Sequence, residues 1–554
     1  MRTLVNELSQ KVIRTYLEHN DLVPPEFEID MPNQEVLGDL SVNVAFKLSK
    51  ALRKAPFKIA QELLPLYEAI VRDDVLARDL IDKIEVAKPG FINFFFKPAI
   101  APFILKKIHA AGREYGTNEY GKGEKVLIEF VSANPTGPLT IAHGRQACIG
   151  DSLASIMRTC GYDVSKEFYL NDGGNQIRIL GLSVFVRYLE LYGRRESFPE
   201  DGYQGDYIAG IAARVKAEKG DIFAKKPISD KKTLAFFSEY AAQLILDEIK
   251  NDLRAIAVSF DTYYPESTLY KSKIKAVLEE LKKRDFCYEE EGALWLKTTA
   301  KGDDKDRVLI KSDKTYTYLV PDIAYHKDKF DRGFTTLINL LGPDHHGYIS
   351  RLKASVAALG YDSEKLHVMI VQLTTLYKNG EPFRMSTRKG TFVSLRELID
   401  EVGADATRLF FLMKLTDSHL DFDLELAKEK SQDNPVYYFQ YAYARISSIL
   451  RLAEIQDYTD ADLVLLKEPE ELRLIKLMAE YSNVLITAAR QHEPYRVVDY
   501  LRELAASFHK FYNRCRVMSD DHALSKARLY LVWCVREVIG GGLGLLGVSQ
   551  PERM

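Results

Sequence analysis

The sequence predicts a multidomain chain: a small α/β module, a doubly wound parallel-sheet domain with a helical insertion, and an all-α bundle. Three observations carry that expectation. At 554 residues the chain exceeds what one hydrophobic core serves. Near-continuous apolar stretches, VLIEFV (126–131), TTLINLL (335–341) and KLHVMIVQL (365–373), alternate with helical segments, as in strands covered on both faces. Beyond about residue 400 strand patterns vanish and 3.6-residue apolar periodicity takes over. The expected divisions are 1–115, 116–400 and 401–554.

The first division opens with a helix that places Leu4, Leu8, Val12 and Ile13 on one face, followed by a loop at Pro24-Pro25. Residues 38–63 read as mostly helical with a break at Pro56, and KIEVAKPGFINFFF (83–96) reads as two strands around a Pro-Gly turn. In the second division VLIEFV is a buried strand, and a helix follows from Thr140 to about Thr159. VSKEFYLN (164–171) is a further strand ended by the turn DGGN. LWLKT, VLIKS and TYTYLV are expected as later strands, and 176–255 as a helical insertion. In the third division four helices are expected at 436–455, 469–492, 495–517 and 523–538.

Composition narrows the class. Apolar residues make up 46% and charged residues 28%, ordinary for a globular enzyme. The net charge of −3 excludes a uniformly basic protein but not a local cationic face. Five scattered cysteines form no C-x-x-C pair, so neither a zinc site nor a disulfide framework is expected, and a reducing cytoplasm is the simplest compartment. The first twenty residues mix charge with apolar positions, unlike a secretory signal, and no stretch approaches the ~18 apolar residues of a membrane span.

Five segments can carry chemistry. SANPTGPLTIAHGR (132–145) turns a strand into a helix at the sheet's carboxyl edge, where free N–H groups suit phosphate and His143 can bond its oxygens. Taken alone it is also readable as a loop with a half-exposed histidine. KNGEPFRMSTRKG (378–390) holds Lys378, Arg384, Arg388 and Lys389, a clamp for leaving phosphates or a solvated charged hairpin. GPDHHG (342–347) ends a strand; adjacent histidines point apart, so a substrate loop is favoured over a metal. In YTYLVPDIAYHKDKF, Tyr318 and Asp322 straddle Pro321 and offer a ring and a two-oxygen acceptor to a planar cation, or a helix cap. KLSKALRKAPFK (47–58) holds five cations and no anion, a phosphate-tracking stripe or a solvated helix face.

The order of these segments resembles the class I aminoacyl-tRNA synthetases, and within them the arginyl-tRNA synthetase family over nearly the whole chain. GDLSVNVAF and KPGFINFFF resemble its tRNA-contacting N-terminal module. EFVSANPTGP, FYLNDGGNQI, LLGPDHHGYISRLKA and RMSTRKG resemble its Rossmann-type catalytic domain. GADATRLFFL, NPVYYFQYAYARI and LLGVSQPERM resemble its anticodon-binding end. The resemblance implies ATP contacts from Ala133, Pro135, Thr136, Gly137, Pro138, His143, Gly144 and Met385. It implies arginine contacts from Glu129, Ser132, Ala133, Asn134, His143, Tyr318 and Asp322, with His345 or His346 closing the pocket. Candidate tRNA contacts are Lys47, Lys50, Arg53, Tyr438, Tyr441, Arg445 and Met554; core packing explains the two tyrosines equally well.

The chain departs from the family pattern twice. Thr140 stands where the first histidine of His-Ile-Gly-His belongs, and Arg384 and Thr387 replace the two lysines of Lys-Met-Ser-Lys. Arg388 or Lys389 is therefore expected to supply charge at the pyrophosphate beside Ser386, with Thr140 giving a neutral hydrogen bond. The implied reaction converts arginine and ATP, carried with Mg²⁺, to arginyl-adenylate, then transfers arginine to the 2′-hydroxyl of its tRNA's terminal ribose. The resemblance also implies a monomer and a requirement for tRNA in activation. Neither Cys148 nor Cys160 has the partners of a covalent nucleophile. Two rivals are an RNA-binding relative that charges nothing and a small-molecule nucleotidyltransferase.

Overall fold

The computed structural model describes residues 1–18, 22–32, 35–383 and 393–554. Helices Arg2–Leu17, Val44–Leu52 and Pro56–Asp73 pack on an antiparallel sheet of β1 (Ile29–Asp30), β2 (Leu40–Val42), β3 (Ile81–Ala87) and β4 (Phe91–Phe96), in the order β1-β2-β4-β3. This module has its own core, with Val5, Leu8, Leu63, Tyr67 and Phe94 shut from solvent. The helix Ile100–Ala111 then joins it to the rest of the chain.

The expected parallel sheet is present. β5 (Lys125–Glu129), β6 (Asp163–Leu170), β7 (Thr262–Pro265), β11 (Thr336–Leu341) and β12 (Leu366–Ile370) run in the order β12-β11-β5-β6-β7. Every adjacent pair is parallel. The chain moves outward from β5 in one direction and later returns to its other side, so the carboxyl edge between β5 and β11 is a topological switch point. The crossover helix Ile141–Thr159 covers the sheet, and its burial from Gly144 to Leu153 seats it between sheet and bundle. Three helices, Gly174–Glu190, Asp206–Lys219 and Lys231–Ala255, form the expected insertion.

LWLKT and VLIKS are strands as expected, whereas TYTYLV is not. LWLKT and VLIKS lie outside the parallel sheet: β8 (Cys287–Glu290), β9 (Ala293–Leu296) and β10 (Arg307–Ile310) form a separate antiparallel sheet in the order β10-β9-β8. β9 buries only alternate residues, the signature of a sheet with one open face. TYTYLV, by contrast, is no strand. Thr317 N–H bonds the Leu309 carbonyl at 2.9 Å and the chain enters the helix Leu319–Asp331 directly. Strands also continue past residue 400: β15 (Leu420–Asp423) pairs in parallel with β13 (Thr374–Lys378), which pairs with β14 (Glu381–Pro382).

The bundle consists of helices Pro435–Leu452, Pro469–Gln491, Tyr495–Arg514 and His522–Leu545, close to the four expected spans. It shares one apolar core with the sheet domain, in which Leu153 of the crossover helix and Leu543 of the last helix both take part.

Candidate functional site

The end of β5 is where the backbone departs most from ordinary geometry. Val131 and Ser132 have φ of 67° and 43°. For a β-branched valine that region costs free energy, and strain of this kind persists where surrounding structure enforces it. The bend turns the Ser132 hydroxyl back to donate to Glu129 Oε1 at 3.0 Å and to accept the Tyr169 N–H at 3.1 Å. Ala133 and Pro135 are buried, whereas Thr136, Gly137 and Pro138 are half-buried beneath the insertion; Tyr207 there donates to the Thr136 carbonyl at 2.7 Å. Asn134 projects outward and bonds Gln176 Oε1 at 2.7 Å.

Thr140 is the N-cap of the crossover helix and His143 its third residue. The Thr140 N–H donates to His143 Nδ1 at 3.1 Å, with the Thr140 hydroxyl at the same distance from that nitrogen. Nδ1 is thus an acceptor, which leaves the ring proton on Nε2. Burial pushes the imidazole down to about 4, so it is a neutral N–H donor at physiological pH. Gly144 permits close approach here, since a Cβ at that position would stand 2.5 Å from Leu395 Cδ1 and force that side chain to shift. Arg145 is fully buried and donates to the carbonyls of Gln372 at 2.9 Å and Leu415 at 3.0 Å, tying the helix to the segments flanking β13 and β15.

Around Asp322 the site is acidic. Asp322 lies in the first turns of Leu319–Asp331 but does not cap that helix; its carboxylate accepts the Tyr348 hydroxyl instead. Burial foremost, with Glu129 and Glu266 adding like charge, pushes it up to about 7 against the pull of Tyr348 and Lys329. Glu266, at the end of β7 and bonded by Tyr270 at 3.0 Å, is itself raised by burial. Lys329, wholly buried, is committed elsewhere: it donates to Glu129 Oε2 at 2.6 Å and Asn339 Oδ1 at 3.1 Å. Asn339 in turn donates to His326 Nε2 at 2.7 Å, and His326 Nδ1 reaches the Asp322 carbonyl at 2.8 Å. Among the described residues no lysine or arginine bonds the Asp322 carboxylate. The edge therefore offers acceptors to a cation that is not its own.

Tyr318 caps the same helix with its ring 90% exposed, so no aromatic face of Tyr318 covers Asp322 here. His345 and His346 are exposed on a 3₁₀ turn; His345 stands edge-on to the Tyr348 ring at 6.3 Å. Arg384, Met385, Ser386, Thr387, Arg388 and Lys389 lie outside the described residues. Sequence reasoning missed Glu266, Tyr348 and Arg145. Glu266 ends a parallel strand, a position where a carboxylate could have been flagged, and Tyr348 follows the Asp-His-His that drew attention to the histidines.

Two more distant faces carry cations. Lys47, Lys50 and Arg53 are all exposed, and nearby Lys54 pairs with Glu62 at 2.8 Å across the helix gap. In the bundle, Tyr438 and Tyr441 flank His509 with ring centroids 4.8 and 5.9 Å away, while Arg445 lies 4.7 Å over the Tyr512 ring. Arg445, Tyr512, Arg514 and Arg516 border a groove of about 550 Å³. Met554 is exposed.

A parallel sheet with a neutral histidine at its first crossover, an acidic strand-end site and an appended helical bundle defines a class I aminoacyl-tRNA synthetase. The model of the class I (R) tRNA synthetase catalytic domain matches residues 105–419. The arginyl-tRNA synthetase N-terminal domain model matches 2–96 and the DALR anticodon-binding domain model 439–554. The chain is 46% identical to an arginine–tRNA ligase of Bacillus cereus over 99% of its length and 98% of that protein's. It is 48% identical to that of Geobacillus thermodenitrificans over 96% and 95% respectively. The arginyl-tRNA synthetase of Thermus thermophilus, 22% identical, shares the fold over 98% of this chain and 99% of that one, with a TM-score of 0.77. The chain belongs to the arginyl-tRNA synthetase family.

Proposed function

We propose that the chain attaches L-arginine to its tRNA at the carboxyl edge of the parallel sheet, in two steps. An arginine carboxylate oxygen attacks the α-phosphorus of ATP, carried as its Mg²⁺ complex, and pyrophosphate leaves. The 2′-hydroxyl of the tRNA's terminal ribose then attacks the activated carbonyl and AMP leaves. Catalysis comes from positioning and charge stabilisation rather than a covalent enzyme intermediate.

In this reading Asp322 accepts the guanidinium, with Glu266 beside it and Tyr318 at the exposed start of the same helix. Ser132, Ala133, Asn134 and Glu129 hold the other end of arginine, and His345 or His346 closes over it. Pro135 to Pro138 and Gly144 bed the nucleotide, and His143 donates from Nε2 to phosphate. Thr140 acts chiefly through the Nδ1 of His143, fixing that tautomer, rather than through phosphate. Arg384, Met385, Ser386, Arg388 and Lys389 supply further ATP contacts. Lys47, Lys50 and Arg53 track the tRNA backbone, and Tyr438, Tyr441, Arg445 and Met554 serve the anticodon end, where half-buried rings and an exposed guanidinium suit unstacked bases. The three divisions, 1–115, 116–400 and 401–554, thus carry elbow, chemistry and anticodon. The reading further takes the enzyme to be a cytoplasmic monomer that needs tRNA for activation.

The carrying observation is the Asp322 carboxylate, buried enough to sit near 7 and bonded by a neutral hydroxyl instead of a protein cation. The test is incubation with labelled arginine, ATP and total tRNA, followed by acid precipitation. The wild type is expected to retain arginine on tRNA, with Asp322→Asn reduced about 100-fold or more in kcat/KM. Arg388→Ala and Lys389→Ala are expected to slow activation; unchanged rates for both would remove these residues from the proposal. Absence of charging with any amino acid would leave the RNA-binding or nucleotidyltransferase reading.

A further inference from the structure

Tyr348 ends the 3₁₀ turn Pro343–Tyr348, and its position is unusually constrained for a residue so near a substrate edge. Its ring packs against two separate apolar clusters, one around Leu309, Val320 and Ile323 and the other around Leu337, Leu352 and Val356. The Arg351 guanidinium lies 5.1 Å from the ring centroid. The next residues are fastened as well: Ser350 Oγ donates to Asp303 at 2.9 Å, and Asp303 is gripped by Arg307 at 2.7 and 3.0 Å. Apolar packing alone would be met by phenylalanine. The hydroxyl has a separate partner, the Asp322 carboxylate.

That partner explains why the donor is neutral. An ionised carboxylate presents about four lone-pair sites, and a bidentate guanidinium takes one from each oxygen. A single phenol on Oδ2 fixes the rotation of the carboxylate plane and leaves both oxygens able to accept the fork. An ammonium or guanidinium in that place would satisfy the charge and remove the site's demand for a cation. Resting on the reading of Asp322 as the guanidinium acceptor, we infer that Tyr348 is a positioning residue for arginine specificity, orienting the Asp322 carboxylate through its hydroxyl while leaving its charge for the substrate.

The groups facing Asp322 give this role a pH signature. Burial foremost, then Glu129 on β5 and Glu266 after β7, raise its pKa; the Tyr348 hydroxyl and then Lys329 on its own helix lower it, and the neutral phenols of Tyr169 and Tyr270 also face it. Arginine binds the ionised form, so binding strengthens as pH rises through the Asp322 pKa. Removing the Tyr348 hydroxyl moves that rise to higher pH.

The experiment compares wild type, Tyr348→Phe and Asp322→Asn in charging assays across pH 6 to 9, with KM measured separately for arginine and ATP. Tyr348→Phe is expected to raise the arginine KM about ten-fold near pH 7, leave the ATP KM unchanged, and shift the pH dependence of the arginine KM upward. A wild-type arginine KM throughout the range would overturn the inference, and so would an equal rise in the ATP KM, which marks general distortion. Asp322→Asn separates the two claims: if it too charges arginine normally, the underlying reading fails, whereas its loss beside a normal Tyr348→Phe defeats only the role of Tyr348.

Discussion

His143 and Asp322 are displaced in opposite directions from their ordinary values, and burial drives both, because it disfavours whichever form is charged. For His143 the imidazole is expected to stay neutral down to about pH 5, within about a unit of its value near 4; ring-proton NMR shifts across pH 5 to 8 check this, and titration near 6.5 would refute it. For Asp322 the folded state binds its proton more tightly than the unfolded chain, with about 7 against 3.8. Its contribution to stability is therefore present below about 4 and is lost as pH rises to 7. Asp322→Asn is expected to be more stable than wild type at pH 8, by about 1–3 kcal/mol, with the gain vanishing near pH 4; thermal melts at the two pH values decide it. Both residues were legible in the sequence because each stands at a strand end or helix start with a distinctive neighbour. Tyr348 and Glu266 were not, since their meaning depends on facing Asp322 from other elements, a relation that no local spacing encodes.

The crossover helix sets the geometry of the nucleotide edge through close approach at its first turns. Gly144 faces Leu395 and Phe411, and a Cβ there would lie 2.5 Å and 3.1 Å from them. Gly144→Ala is expected to cost about 1–3 kcal/mol by overpacking, measured by urea unfolding, and to raise the ATP KM because His143 moves with the helix start. Leu395 itself is pinned by its N–H to the Leu139 carbonyl at 2.7 Å, so both flanks of this turn are fixed. Elements with a strong period were readable: the parallel strands as continuous apolar runs, the bundle helices as 3.6-residue stripes. β9 and β10 were readable as strands but not as a sheet of their own; the alternate burial of β9 belongs to an open-faced hairpin. β15 was overlooked because LDFD is short and polar, and only pairing with β13 makes it a strand.

Across the whole molecule, one buried cluster joins the three parts that meet behind the site. Arg408 donates to the Leu546 carbonyl at 2.7 Å, the Ile256 carbonyl at 2.6 Å and Asp151 Oδ2 at 2.8 Å, while Lys166 takes the other Asp151 oxygen at 2.8 Å. The end of the bundle, the end of the insertion and the middle of the crossover helix thus share one guanidinium. Arg408→Ala would strand two carbonyls and half of a buried carboxylate, and is expected to lower stability by about 3–5 kcal/mol, checked by equilibrium unfolding. This cluster was invisible in the sequence, where Arg408 stands 257 residues from Asp151, 152 from Ile256 and 138 from Leu546. The central claim remains local: an acidic strand-end site made for a planar cation. A crystal structure of the protein with arginine and a non-hydrolysable ATP analogue tests it most directly. The guanidinium is expected to fork onto Asp322, with the Tyr348 hydroxyl still on Oδ2 and the His143 Nε2–H on phosphate. Arginine bound elsewhere, with Asp322 left to solvent, would contradict it.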